Sequence, residues 1–178
     1  MLSAELTRKI DRELAKYPSD QRQSAVMSAL GFAQDEHGWL STELMDAVAK
    51  YLGMPPVAVY EVATFYTMYN LKPQGRFKVT ICTNLPCALS GANAAAEHLK
   101  QKLGIGFNET TSDGKFTLKE GECMGACGDA PVLIVNDRRM CSFMTPPKLD
   151  ELVGDLSAAA DRGEGRPGFD PHHGTHEK

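Results

Sequence analysis

Apolar residues recur at helical spacing through about the first 70 positions of the chain. Residues three or four apart lie on one face of a helix, so this spacing predicts a bundle of amphipathic helices. The stripes are Leu2, Leu6, Ile10 and Leu14; Val26, Met27, Leu30 and Ala33; Leu44, Val48 and Leu52; and Val59, Val62, Tyr66 and Tyr69. Ser41 and Gly53 are typical of the two ends of the third helix. Pro55 and Pro56 can open the fourth, which we expect to stop before Lys72.

From Arg76 onward the apolar period changes to two, because Phe77, Val79 and Ile81 alternate with polar residues, as in a β-strand. The elements predicted after this strand are a helix over 88–103, strands near 116–118, 132–135 and 140–143, and a last helix starting at 145–146. A strand-helix-strand beginning favours parallel pairing, whereas the later strands, joined by a short turn, must pair antiparallel. The chain is therefore predicted to be α+β, with a mixed four-stranded sheet similar to that of thioredoxin.

These patterns divide the chain into three parts. We expect an N-terminal helical domain over residues 1–74 and the thioredoxin-like domain over residues 75–160. Residues 161–178 contain four Gly, two Pro and three of the five His residues, with hardly an apolar side chain. Because so little apolar surface cannot offset the entropy of ordering, this tail is expected to be disordered and its histidines solvated. Those histidines are His172, His173 and His176.

Net charge and hydropathy argue against a nucleic-acid-binding, a membrane-spanning or a secreted protein. Nineteen Lys and Arg against 23 Asp and Glu give a net charge of −4, which argues against a nucleic-acid partner. No apolar run approaches the length that spans a bilayer, so no membrane span is expected. The opening segment mixes charged and apolar residues without a continuous apolar region, unlike a secretory signal. We therefore expect a cytoplasmic protein.

Four of the cysteines fall in two closely spaced pairs, which indicates a site for a metal or an iron-sulfur cluster. Cys82 and Cys87 form a C-x4-C pair where a predicted strand passes into a helix, and Cys123 and Cys127 form a C-x3-C pair in a Gly-rich loop before a buried strand. Two loops at one end of a sheet can bring four thiolates together. Thiolates favour zinc or iron-sulfur clusters over hard cations, and four of them suffice for one [2Fe-2S] cluster.

Other interpretations of these cysteines stay open at this point. A structural zinc site also uses four thiolates, and a dithiol-disulfide site would normally show C-x-x-C spacing. Cys141, on a predicted edge strand, is interpreted as a small hydrophobic residue outside the site. The many aromatic residues of the first 70 positions are consistent with either helix packing or a partner surface.

Three segments of the chain are distinctive when taken together. They are Cys82-Thr83-Asn84-Leu85-Pro86-Cys87, the loop from Cys123 to Pro131, and Glu61-Val62-Ala63-Thr64-Phe65-Tyr66-Thr67-Met68. These segments resemble the NuoE family, which is the [2Fe-2S] subunit of respiratory complex I. The resemblance covers residues 5–157. It implies one [2Fe-2S] cluster held by Cys82, Cys87, Cys123 and Cys127, with the N-terminal helical bundle followed by a thioredoxin-like [2Fe-2S] ferredoxin domain.

The resemblance also implies a role. The chain would be the electron-transfer subunit of NADH-quinone oxidoreductase, with its cluster close to the FMN of a flavoprotein partner that oxidises NADH. That cluster would lie off the main chain of iron-sulfur centres and take up an electron reversibly. FMN and NADH would belong to the partner, which agrees with the absence of a dinucleotide fingerprint after Phe77–Cys82. No catalytic acid-base residue is expected on this chain.

The resemblance further implies contacts with other subunits of the peripheral arm and a place on the cytoplasmic side of the bacterial inner membrane. Related chains occur in NAD-dependent formate dehydrogenases and NAD-reducing hydrogenases, and the cysteine loops do not separate these assemblies. A zinc-stabilised assembly module without redox activity is the alternative from a different functional class.

Overall fold

A computed structural model describes residues 2–166 of the protein. These residues fall into two compact units that meet in sequence between Pro73 and Gln74. Each unit has its own hydrophobic core.

Helices make up the first unit, as the apolar spacing predicts. Its elements are α1 (Ala4–Leu14), a 3-10 turn (Arg22–Ala25), α2 (Val26–His37), α3 (Thr42–Leu52) and α4 (Pro56–Phe65). Ser41 Oγ accepts a hydrogen bond from the Leu44 N–H at 3.2 Å, which satisfies an otherwise unpaired donor at the start of α3. Gly53 ends α3 with φ +72°. The buried residues come from all four helices and include Leu6, Ile10, Leu30, Val48 and Val59.

The end of α4 differs from the predicted stripe. Tyr66 is already extended (φ −90°, ψ 117°), so Tyr66 and Tyr69 do not continue the helix. The buried side chain of Gln34 provides the reason, since its Nε2 donates to Met68 O at 3.0 Å and its Oε1 accepts from the Asn70 N–H at 2.6 Å. These bonds pair the backbone of the following segment outside a helix.

The second unit contains the expected sheet and helices. Its elements are β1 (Phe77–Cys82), α5 (Leu85–Leu89), α6 (Ala92–Leu103), β2 (Glu109–Thr110), β3 (Phe116–Gly121), a 3-10 turn (Cys127–Asp129), β4 (Leu133–Val135), β5 (Arg139–Cys141) and α7 (Pro146–Asp161). The helix predicted over 88–103 is broken at Gly91, whose φ of +92° is left-handed. Glycine is the residue that adopts this conformation readily.

The sheet is mixed, and its strand order is β2-β3-β1-β4-β5. β1 pairs in parallel with β3, whereas β1 with β4, β2 with β3, and β4 with β5 pair antiparallel. The predicted parallel and antiparallel pairings are thus confirmed. The predicted strand count is wrong by one, because β2 is too short, at two residues, to leave an apolar pattern.

One face of the sheet and two helices form the core of this unit. Alternate residues of the strands, such as Val79, Leu118 and Leu133, are fully buried together with Leu99 of α6 and Leu149 of α7. α6 packs on β1 and β3 and also contacts α7. Packing in this core stabilises the sheet. The loops that leave the ends of its strands are therefore available to form a functional site.

Residues 162–166, which fall in the predicted tail, belong to the second unit and contact its first strand and the turn after β4. The Arg166 N–H donates to Arg76 O at 3.1 Å, and its guanidinium donates to Asn136 O at 2.9 Å. Residues 167–178 lie outside the described part of the chain, so their disorder stays a prediction. Among the residues described, no helix has both the length and the apolar character needed to cross a membrane.

Candidate metal centre

The parallel pairing of β1 and β3 places both cysteine loops at one edge of the sheet. Cys82, the last residue of β1, lies opposite Gly121, the last residue of β3. The C-x4-C loop leaves the sheet at Cys82, and Cys123 follows two residues after Gly121. Because parallel strands end at the same edge, the two loops start side by side. The structure thus gives a physical basis for bringing the two pairs together.

Cys82 and Cys87 are in contact and buried. They form a small apolar cluster with Ala92 and Val132, and the Cys82 N–H donates to Val132 O at 3.1 Å. Burial raises the pKa of the Cys87 thiol, and the hydrogen bond with Cys82 raises it further. Without a metal the Cys87 thiol therefore favours the protonated form, and metal binding must release its proton.

Cys123 and Cys127 are exposed on the second loop. The Gly125 N–H donates to Cys123 Sγ at 3.4 Å, and Gly125 has φ +70°. This left-handed turn, which glycine adopts without strain, points an N–H group at the sulfur of Cys123, the kind of contact that orients and supports a metal-bound thiolate. Cys127 begins a 3-10 turn and lies close enough to Cys87 for its charge to raise the pKa of that thiol further.

Cys87 therefore interacts with both Cys82 and Cys127, which links the two loops. Over residues 2–166, no three His, Cys, Asp or Glu side chains are grouped closely enough to hold a metal ion as they stand.

Polar residues that the sequence analysis missed connect the two loops. Thr83 Oγ1 donates to Glu120 Oε1 at 2.7 Å, and Asn84 Nδ2 donates to Glu122 Oε2 at 3.4 Å. Gly121, between the two carboxylates, is tightly packed, because a Cβ there would lie 2.8 Å from Thr80 Cγ2. In the sequence the only signal of these contacts is position. Thr83 and Asn84 lie inside the first cysteine pair, and Glu120 and Glu122 lie just before the second.

The remaining candidates lie elsewhere. Cys141 on β5 is partly buried and packs against the core of the second unit, and burial raises its pKa. His98 Nε2 lies 3.0 Å from Asp150 Oδ1, in a pair between α6 and α7. The tail histidines fall outside the described residues.

A family model for thioredoxin-like [2Fe-2S] ferredoxins matches residues 10–157, which is most of the chain. The chain belongs to this family. Membership in it supports an iron-sulfur cluster as the cofactor, and the predicted thioredoxin-like fold is confirmed.

Relatives of this chain agree with the resemblance seen in the sequence. A subunit of the NADH-quinone oxidoreductase of Rickettsia bellii is 43% identical over 144 residues, which are 80% of this chain and 86% of the relative. NADH dehydrogenase [ubiquinone] flavoprotein 2 of Dictyostelium discoideum is 47% identical over 130 residues, which are 72% of this chain. Those residues are 53% of the Dictyostelium protein, so the chain spans about half of its length. The resemblance to the NuoE family is confirmed.

Among solved structures, a chain of an NAD+-reducing [NiFe]-hydrogenase in the H2-reduced state has a similar fold. Its TM-score is 0.67 at 20% identity, with 75% of this chain and 22% of that chain covered. At that identity the likeness shows the fold of this chain alone.

Proposed function

We propose that this chain is the electron-transfer subunit of an NADH-quinone oxidoreductase and carries one [2Fe-2S] cluster on Cys82, Cys87, Cys123 and Cys127. The observation that carries the proposal is the register of β1 with β3, which starts both cysteine loops at the same edge of the sheet. The kind of complex is inferred from a relative that is a subunit of NADH-quinone oxidoreductase. In this proposal residues 1–74 and 75–160 are the two domains.

The donor chemistry of the loops fits such a cluster. All four donors are sulfur, two from each loop, and sulfur donors suit iron-sulfur clusters. When bound, the cluster supplies one-electron redox chemistry. The apolar residues around Cys82 and Cys87 exclude water from one side of the centre. The Gly125 N–H stabilises negative charge on the Cys123 sulfur.

Loading of the centre requires deprotonated ligands in this proposal. Cys82 and Cys87 are buried and in contact, whereas Cys123 and Cys127 are exposed. A cluster binds thiolates, so all four thiols have to lose their protons, and metal binding supplies the driving force for this release.

The partner in this proposal is the flavoprotein subunit that binds FMN and NADH, within the peripheral arm on the cytoplasmic side of the membrane. Leu85 and Leu89 support a docked partner at the cluster. They lie one turn apart on α5, on either side of Cys87 in sequence, and are 72% and 81% exposed. Exposed apolar side chains beside a buried redox ligand are typical of a surface that another subunit covers.

The experiment that tests the proposal measures iron, zinc and acid-labile sulfide on anaerobically purified protein, together with visible and reduced-state EPR spectra. We expect two irons and two sulfides per chain and a rhombic EPR signal after reduction. Stoichiometric zinc without colour, combined with failed reconstitution by iron and sulfide, would overturn the redox proposal in favour of a structural zinc site.

Two cysteine variants test the ligand set. We expect Cys127→Ala to remove or cripple the cluster, because it deletes one of the four donors. Cys141→Ala is the matched control and should leave the spectrum intact, since that side chain packs against the core of the second unit. An unchanged spectrum in Cys127→Ala would contradict the assignment of Cys127 as a ligand.

A further inference from the structure

Two polar contacts cross from the first cysteine loop to the end of β3 and to the residue just after it. Thr83 directly follows Cys82, and its hydroxyl donates to Glu120 at 2.7 Å. The next residue, Asn84, reaches Glu122 at 3.4 Å. Consecutive residues of one loop thus meet two carboxylates on either side of Gly121. The shorter contact has the geometry of a strong hydrogen bond to a charged acceptor.

We propose that Thr83 and Glu120 are a positioning pair that fixes the first cysteine loop against the end of β3. The pair would set how firmly the cluster is retained and at what potential it is reduced. The inference rests on the cluster proposed above and goes beyond it, because neither residue is a ligand.

The geometry explains why these two residues have this effect. Cys82 is anchored on its other side by the hydrogen bond from its N–H to Val132 O. Thr83 adds a second anchor one residue later, at the point where the chain leaves the sheet and turns into α5. With both anchors in place, the direction in which the loop presents its sulfur atoms is fixed. Contacts that orient metal ligands in this way affect metal affinity strongly.

The carboxylate also acts through its charge. Glu120 places a negative charge at the edge of the sheet from which both cysteine loops emerge. Negative charge beside an iron-sulfur cluster opposes the arrival of an electron and so lowers the reduction potential. The pair therefore has two separable effects: the hydrogen bond governs retention, and the charge governs potential.

Matched variants of the full-length chain separate these effects. Thr83→Val keeps the size of the side chain and removes the donor, and Thr83→Ser restores the donor. Glu120→Gln keeps an acceptor and removes the charge. The control is Glu164→Gln, because Glu164 is an exposed carboxylate paired with Arg162 at 2.6 Å. It precedes Gly165, which lies against Arg76 and Phe77 at the opposite end of β1.

The measurements are the rate at which a chelator removes iron, followed by visible absorbance, and the midpoint potential, from an EPR-monitored titration. We expect Thr83→Val to lose iron about tenfold faster than the parent chain, with Thr83→Ser close to the parent. Glu120→Gln should shift the potential upward with iron loss close to that of the parent. Glu164→Gln should change neither quantity.

The outcomes separate this inference from the proposal on which it rests. A parent chain that binds no iron and sulfide overturns the cluster itself. A parent chain that holds the cluster, with either Thr83→Val or Glu120→Gln indistinguishable from Glu164→Gln, overturns the positioning pair alone. If the contact between Thr83 and Glu120 only stabilised the fold, Glu120→Gln would leave the reduction potential of the cluster unchanged.

Discussion

The ammonium of Lys78 lies 2.8 Å from the carboxylate of Asp137, and the Lys78 side chain is 2% exposed. Burial lowers the pKa of Lys78, and the charge of Asp137 opposes that shift. A buried ammonium is retained where an opposite charge compensates for its lost hydration. The pair therefore joins β1 to the turn between β4 and β5, and the Arg166 guanidinium adds a second cation to the same carboxylate at 3.1 Å.

Removing the charge of Asp137 should destabilise the protein. Asp137→Asn is a mild change in shape, because position 137 has φ +57° and asparagine tolerates this conformation. We expect the free energy of unfolding in urea to fall by about 2 kcal/mol, since Lys78 loses its compensating charge. Asp161→Asn is the control, as that carboxylate is 64% exposed in its pair with Lys115. Equal losses in the two variants would contradict the role of burial.

Gly121 should tolerate no side chain. A Cβ at this position would lie 2.8 Å from Thr80 Cγ2, 2.9 Å from Met124 Cε and 3.2 Å from Ile81 O. We expect Gly121→Ala to cost about 1–3 kcal/mol of stability through overpacking, measured by chemical denaturation. Gly128→Ala is the matched control in the second cysteine loop, because open space surrounds its Cβ position. A loss in Gly128→Ala as large as in Gly121→Ala would rule out this explanation.

Tyr69 should make the protein sensitive to alkaline pH. Burial raises the pKa of Tyr69 to about 12 from the ordinary 10, with a further contribution from Tyr66. The folded state therefore keeps its phenolic proton where the unfolded state has lost it. This contribution to stability is fully present below pH 10 and is lost progressively as the pH rises to 12.

The variant Tyr69→Phe isolates that effect. It removes the hydrogen bond from the hydroxyl to Met27 O, so its stability at neutral pH should be lower by about 1 kcal/mol. Between pH 10 and 12, however, its free energy of unfolding should fall less steeply than that of the parent chain. Parallel pH profiles for the two proteins would show that Tyr69 titrates normally.

The metal-free protein should show two classes of thiol. Cys123 and Cys127 are exposed, whereas Cys82 and Cys87 are buried and the pKa of Cys87 is raised by burial and by Cys82. Alkylation requires the thiolate and access to it. We therefore expect alkylation followed by peptide mass spectrometry to label Cys123 and Cys127 well before Cys82 and Cys87. Labelling of all four at one rate would mean that the buried pair opens as readily as the loop.

Much of the site follows from the sequence because the pattern of β1 is strong. Its alternation fixes Cys82 at the end of a strand, and a strand-helix-strand order makes the pairing with β3 parallel. From those two facts the meeting of both cysteine loops at one edge can be deduced. The helices of the first unit can be predicted from the sequence equally well, since their apolar stripes repeat over several turns.

Contacts between residues far apart in sequence could not be predicted in the same way. The strand β2 has two residues and exists through its pairing with β3. Tyr69 continues a helical spacing, yet Gln34 binds the backbone on either side of it. The contact of Thr83 with Glu120 joins polar side chains that follow no period. Such features depend on tertiary partners, which a local pattern does not contain.

The register in which Cys82 faces Gly121 has a consequence for how the chain can change in evolution. Insertions between Leu103 and Glu109 lengthen the connection from α6 to β2 and leave the paired strand ends where they are. One residue inserted within β3 would instead send every later side chain of that strand to the opposite face. The separation of the two cysteine pairs along the chain is therefore free to drift, whereas the length of β3 is not.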